Sequence, residues 1–316
     1  MMYRYRAFGL NIESEFPLSE LLPGIFEVAD VSICFGDVAH VINTAQVFRP
    51  QVTEDTFLMD KEHVARFLVE RGERITVQIY PGSSLEQVKA YLLGSCIGAT
   101  LLQRKILPLH GSCIRDEKSG ILLTGRSGAG KSTIAAGFLA KGFRILTDDV
   151  AAVRLDDAQM PLVAPSFPRQ KLWEDVVQRV PGAHAKTLLF RSEGNRSKFS
   201  IALGGCFCPE SARIDAVYEI VPSDVPGVTL EEIKGAAKVD VLISNIYRRR
   251  IAYRMGLAGW CFLSGMKIAQ NLKVFRLVRP EGAYPEDQIV ECIQQAGHLA
   301  AQSGFPERKD GIATDA

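Results

Sequence analysis

The chain has 316 residues, 47% of them hydrophobic and 23% charged, with 27 glycines and 15 prolines. This is ordinary globular usage and excludes a collagen-like, coiled-coil or intrinsically disordered chain. With 37 basic against 36 acidic residues the net charge is +1, too little for bulk attraction to nucleic acid or to an anionic membrane surface.

Residues 1–82 read as β-rich. Val31–Phe35 and Ile75–Tyr80 are β-branched or aromatic runs, Thr56–Met59 is a third, and Pro81-Gly82-Ser83 punctuates the end. Ser84 opens a helix, with Gln87 placed as in a capping box, that runs to about Lys105. It is apolar almost all round and is expected between layers. Ile106–Ile114 and Gly120–Thr124 read as strands, a glycine-rich turn follows, and Lys131–Ala140 reads as a helix ended by Lys141-Gly142. Phe143–Thr147 is the next strand, closed by Asp148-Asp149, with Ala151–Leu155 as a hairpin partner. Strand Ile214–Val221, a helix near Val239–Ala269, strand Val274–Val278 and helix Glu286–Gln302 behind Pro285 complete the pattern. Strands alternating with helices indicate the α/β class. The expected division is a β-rich N-terminal domain over 1–82, an α/β domain over 83–303 and a flexible polar tail over 304–316.

The longest apolar runs, Ala90–Leu102 and Met255–Met266, fall short of the roughly 20 residues that span a bilayer. The opening residues show no apolar core or cleavage site of a signal peptide. The seven cysteines are scattered in apolar surroundings with no CxxC pair, as in reduced, buried thiols. The expected compartment is the cytoplasm. Cys206 and Cys208 have no matching His or Cys cluster for zinc.

The stretch Gly125-Arg126-Ser127-Gly128-Ala129-Gly130-Lys131-Ser132, followed by Thr133, fits G-x-x-x-x-G-K-[ST]. A triphosphate needs several donors aimed at one small volume. Glycines let successive N–H groups converge on phosphate oxygens, and the following helix adds its positive N-terminus. Lys131 would place an ammonium on the outer phosphates and Ser132 a hydroxyl on Mg²⁺, while Arg126 is expected to face solvent. The plainer reading, a flexible glycine turn, lacks the apolar strand before and the apolar helix after that flank this loop.

Asp148 and Asp149 close the strand after that helix, and strand ends on one sheet edge are where ligands sit. One carboxylate could hold Mg²⁺ through water; the other could accept a proton from an incoming hydroxyl. An exposed Asp-Asp turn is the structural alternative. His110 is either a packing residue at a strand end or a participant. Arg169, Lys171 and Trp173 form either a helix start or a basic clamp on phosphate or a peptide carboxylate, and Glu174 is a candidate metal ligand. The segment Phe190–Phe199 reads as a surface loop whose Arg191, Arg196 or Lys198 could reach a transferring phosphate. Arg248-Arg249-Arg250 reads as a solvated helix face, and Cys113 lacks an orienting partner for thiol catalysis.

The run Leu109-His110-Gly111, then GILLTGRSGAGKSTIAAGFLAKGFRILTDDV, resembles the catalytic domain of HPr kinase/phosphorylase. About forty residues carry the resemblance. It implies a P-loop kinase fold, ATP and Mg²⁺ as cofactors, and phosphorylation of a serine on a protein or peptide. It further implies Lys131 and Ser132 at phosphate and metal, Asp149 as proton acceptor and His110 beside the reacting phosphoryl group; Asp148 is expected to support either the metal or Asp149. The family's Glu-Ile-Arg-Gly-Leu-Gly element is absent; the corresponding residues read APSFPRQKLWEDVV. The resemblance therefore carries over neither the reverse phosphorylase reaction nor the second metal ligand. The opening YRAFGLNIESEFPLSEL and the Pro168–Trp173 segment resemble HPr-kinase-like proteins of lasso-peptide and related peptide biosynthesis. Such relatives often form oligomers, which leaves a homo-oligomer open; no nucleic-acid or membrane partner is expected. The rivals to a serine kinase are a small-molecule kinase using the same site and a nucleotide-binding regulatory module without transfer.

Overall fold

Alternating burial builds the N-terminal sheet: Leu10, Ile12 and Ser14 are buried while Asn11 and Glu13 between them are only half so. A computed structural model describes residues 2–38, 50–117, 119–178, 180, 186–191, 197–282 and 285–297, the side chains of 189–191 excepted. The tail 304–316, the last residues of the C-terminal helix expected to reach Gln302, Arg196 and the Arg191 side chain lie outside the described residues. The first sheet comprises β1 (Tyr3–Ala7), β2 (Leu10–Ser14), β3 (Leu22–Pro23), β4 (Val31–Phe35), β5 (Gln51–Val52), β6 (Thr56–Lys61), β7 (Ala65–Glu70) and β8 (Arg74–Ile79). Its order is β3-β1-β2-β4-β8-β7-β6-β5.

The long apolar helix forms, in three pieces: α1 (Leu85–Tyr91), a π-helical turn over Leu92–Cys96, and α2 (Ile97–Gln103). Ser84 makes no side-chain cap, so the expected capping box is not built; its carbonyl instead accepts from the Gln87 N–H at 3.1 Å. A Cβ on Gly98 would lie 2.9 Å from the Tyr247 ring, so a side chain there is excluded by close approach. Residues on both sides of position 82, among them Phe67, Leu92, Leu101, Leu109, Val150 and Ile214, share one hydrophobic core.

The second sheet follows: β9 (Leu107–Arg115), β10 (Gly120–Thr124), then α3 (Lys131–Ala140), β11 (Arg144–Thr147), β12 (Val150–Leu155) and β13 (Pro161–Ala164). Here β10 and β11 lie on opposite sides of β9, both antiparallel to it. They are therefore parallel to each other with β9 between them. β12 does not fold back on β11 as a hairpin partner. It continues along the same edge of β9, pairing Val150 with His110, so the chain jogs at Asp148-Asp149 and runs on. β17 (Ala212–Ser223), β18 (Thr229–Ile233) and β19 (Lys273–Pro280) extend this sheet. Every residue of β10 is buried, as expected of a strand covered on both faces.

Two further departures from the sequence reading affect the site. Arg169–Trp173 is not a helix start but strand β14, followed by α4 (Glu174–Val177). With β15 (Lys186–Arg191) and β16 (Ser197–Ala202) it forms a three-stranded sheet of order β14-β15 about a central β16. Ser197–Phe199, read as loop, thus belongs to a strand. The single helix near Val239–Ala269 is three: α5 (Ala237–Ser244), α6 (Arg249–Arg254) and α7 (Ala258–Gln270). It breaks because Asn245 and Tyr247 pair with β9: the Asn245 carbonyl accepts from His110 N–H at 2.7 Å, and Tyr247 N–H donates to Pro108 at 2.8 Å. Arg248, Arg249 and Arg250 are exposed. α8 (Glu286–Gln295) closes the described chain beside α3. No helix among the described residues is long and apolar enough to cross a membrane.

The core beneath the glycine-rich loop depends on α3. Phe138 is fully buried and meets Phe143 edge-on at 5.2 Å. Phe138→Ala is expected to cost about 3–5 kcal/mol of unfolding free energy. In urea this appears as a lower midpoint with an unchanged slope.

Candidate active site

Three strand ends meet at one place because β9 lies between its neighbours. Thr124 of β10 pairs with Gly111, Thr147 of β11 with Cys113, and Val150 of β12 with His110. The glycine loop, the Asp148-Asp149 jog and His110 therefore share one edge of the sheet, and all open on a cleft of about 1220 Å³.

The loop follows its sequence logic. Gly125, Gly128 and Gly130 adopt φ of 134°, 82° and 104°, and a Cβ on Gly125 would sit 2.5 Å from the Ile220 carbonyl oxygen. Lys131 folds over the loop and donates to the Gly125 and Arg126 carbonyls at 2.8 and 3.0 Å. Burial lowers its pKa to about 8, Lys198 adds to that, and Asp148 and Asp149 oppose it. An anion placed beside this ammonium would restore its proton affinity. Ser127, Gly128, Gly130, Lys131, Ser132 and Thr133 line the cleft, whereas Gly125 and Ala129 are buried and Arg126 is exposed off its wall. Beneath the loop, Arg279 Nε donates to the Ala129 carbonyl at 2.9 Å.

Asp148 is held on both oxygens. Its Oδ1 accepts from Ser132 Oγ at 2.9 Å and from Ser112 Oγ at 2.7 Å; its Oδ2 accepts from the Lys171 N–H at 2.9 Å. Asp149 has φ of 74°, the left-handed region that Asp tolerates better than most residues. His110 Nδ1 donates to the Asp149 carbonyl at 2.9 Å, and the Gly111 N–H reaches the same oxygen at 3.3 Å. That bond requires a proton on Nδ1 and leaves Nε2 as the lone-pair nitrogen. Burial and Lys131 lower the His110 pKa against Asp149 and Asp148, so the ring is neutral at pH 7. The Asp149 carboxylate takes the Lys171 ammonium at 2.8 Å. Burial works to raise the Asp149 pKa, but Lys171, His110 and Lys198 outweigh it and hold the carboxyl at about 2.

The cleft thus collects His110, Lys131, Ser132, Asp148, Asp149, Lys171 and Lys198. Glu174 is exposed and off its wall, which Asp175 joins instead. Arg169 turns away, its guanidinium on Ser200 Oγ and Thr187 Oγ1. Cys113, Cys206 and Cys208 are buried. Three contributors escaped the sequence reading. Ser112 carried a signal, standing two residues from His110 on one strand and so on the same face. Gln170, whose Nε2 donates to the Ser132 carbonyl at 2.9 Å, and Tyr247, 5.9 Å from the His110 ring, carried none, since only long-range pairing brings them here.

No protein-family model matches the chain. Over 113 residues it is 33% identical to an HPr kinase/phosphorylase of Lactobacillus acidophilus, a match spanning 35% of this chain and 34% of that protein. Among solved structures it is similar to the Hpr(Ser) kinase/phosphatase from Coxiella burnetii, with a TM-score of 0.30 and 13% identity over 60% of this chain and 89% of that one.

Proposed function

We propose that the chain is an ATP-dependent kinase that transfers the γ-phosphate of ATP to a serine hydroxyl of a protein or precursor peptide. One observation carries this reading: Lys131 and Ser132 of the glycine loop face the Asp148-Asp149 pair across one cleft, with Ser132 already hydrogen-bonded to Asp148. The similarity to an HPr kinase/phosphorylase supports the same class of reaction.

The donor set fits Mg²⁺. Ser132 Oγ and Asp148 Oδ1 are 2.9 Å apart, and the described residues contain no group of three His, Cys, Asp or Glu side chains that could enclose a metal. Mg²⁺ commonly keeps waters and phosphate oxygens beside one or two protein ligands. Ser132 and Asp148 would hold it, and there it would neutralise charge on the outer phosphates. Loop N–H groups and Lys131 bind the phosphates. Asp149 accepts a hydrogen bond from the serine hydroxyl and aligns its oxygen on the γ-phosphorus. The oxygen–phosphorus bond forms as the bond to the β,γ-bridging oxygen breaks; the hydroxyl proton passes to Asp149 and then to solvent, and ADP leaves. His110 holds the Asp149 main chain in its strained turn. Positioning and electrostatics supply the rate.

The cleft continues past the phosphate end to Lys61, Gln87, Ala90 and Tyr91 of the N-terminal sheet and α1. This wall is the proposed seat of the acceptor segment. The likeness of the opening residues and of Pro168–Trp173 to lasso-peptide kinases favours a precursor peptide. A cytoplasmic setting and no nucleic-acid or membrane partner belong to the same proposal. The test incubates the full chain with γ-labelled ATP, Mg²⁺ and either serine-containing peptides or a metabolite pool. Label on a peptide serine, located by mass spectrometry, is expected. Label only on a metabolite makes it a small-molecule kinase; ATP binding with no transfer to any acceptor makes it a regulatory module.

A further inference from the structure

Charge at the transferring phosphoryl group calls for a cation on the side facing Asp149, and the fold restricts the choice. Lys131 comes from the loop side, where it donates to two loop carbonyls. Arg279 also lines the cleft, but its described bonds anchor Nε on the Ala129 carbonyl and Nη1 on the Pro280 carbonyl. Arg169 is turned onto β15 and β16, and Arg126 is off the cleft wall. Lys198 lies over the Trp173 ring at 5.4 Å.

Lys171 is placed differently from all of these. Its main-chain N–H holds Asp148 Oδ2, and Asp148 Oδ1 holds Ser132, so a single carboxylate separates Lys171 from the loop serine. Its side chain lines the cleft, is 32% exposed, and gives one ammonium N–H to Asp149 Oδ2 at 2.8 Å. An ammonium has three such donors. It can keep Asp149 and still reach a second anion between that carboxylate and Ser132, where the γ-phosphate must lie if Asp149 receives the acceptor hydroxyl. Without it, the Asp149 carboxylate would face the γ-phosphate with its directly bonded cation gone.

Building on the kinase reading above, we infer that Lys171 is a γ-phosphate ligand: it bridges Asp149 and the terminal phosphoryl group, and so distinguishes nucleoside triphosphate from diphosphate. Lys131, by contrast, serves both nucleotides. Loss of one charge-assisted hydrogen bond corresponds to about a ten- to hundred-fold change in affinity.

The test is calorimetric titration of the full chain, in Mg²⁺, with ADP and with a non-hydrolysable ATP analogue bearing an imido bridge. Wild type is expected to prefer the triphosphate. Lys171→Met should weaken the triphosphate about ten- to hundred-fold and change ADP by no more than about two-fold, erasing the preference. Lys171→Arg, which keeps the charge, should retain most of it. Thermal melts of each variant separate unfolding from lost contact; if Lys171→Met does not fold, the ratio in Lys171→Arg and Lys171→Gln decides, Gln losing the preference and Arg keeping it. Equal losses for both nucleotides, or none, overturn the assignment. Wild type that binds neither nucleotide overturns it together with the kinase reading. Wild type that binds both, shows the Lys171 effect and transfers nothing overturns the kinase reading alone.

Discussion

Asp149→Asn is expected to leave nucleotide affinity intact and to lower phosphoryl transfer by about 10²- to 10⁴-fold, the usual worth of a positioned proton acceptor. The substitution is chosen for what it preserves. Asparagine matches the volume of aspartate and tolerates the left-handed φ of 74° at this turn, so the jog between β11 and β12 should persist. The carbonyl that accepts from His110 and Gly111 belongs to the main chain and is unaffected. What disappears is a carboxylate held ionised by Lys171 at 2.8 Å. Triphosphate affinity should stay level or rise, since a negative charge facing the phosphates has gone. Titration calorimetry and a single-turnover assay read the two quantities separately. Transfer at the wild-type rate would remove Asp149 from the reaction.

Lys131→Ala is expected to act on both quantities. Nucleotide affinity should fall about ten- to hundred-fold, as one charge-assisted contact is lost. Transfer should fall by a further factor of about 10² to 10³, the usual result of deleting one donor to a developing anion. The loop itself also loosens, because Lys131 caps the Gly125 and Arg126 carbonyls. Arg126→Ala is the matched control, exposed and off the cleft wall, and should leave affinity within about two-fold. Unchanged ATP turnover in Lys131→Ala would falsify the whole site assignment. Together the two substitutions separate binding from chemistry, which neither does alone.

Legibility followed locality. Strand Gly120–Thr124 and helix Lys131–Ala140 lie where the residues place them, because an apolar run, three glycines and an apolar helix are adjacent in sequence and need no distant partner. Asp148 and Asp149 end their strand as read. The misreadings were of segments whose state depends on remote pairing. Arg169–Trp173 alternates charged and buried positions behind a proline turn and becomes a strand only because Ser197–Ala202 pairs with it. The helical pattern over 239–269 breaks where Asn245 and Tyr247 exchange hydrogen bonds with β9.

The sequence by itself determined a loop whose glycines can point N–H groups at an anion, the cation and hydroxyl that follow it, and a nearby pair of carboxylates. Those are properties of local backbone freedom and side-chain chemistry. The tertiary structure alone decided that β9 would sit antiparallel between β10 and β11, bringing His110 and Ser112 to the same edge. It alone decided that β14 would lay Lys171 across both aspartates. Strand order and register are set by burial summed over the whole core, and no window of sequence contains that sum.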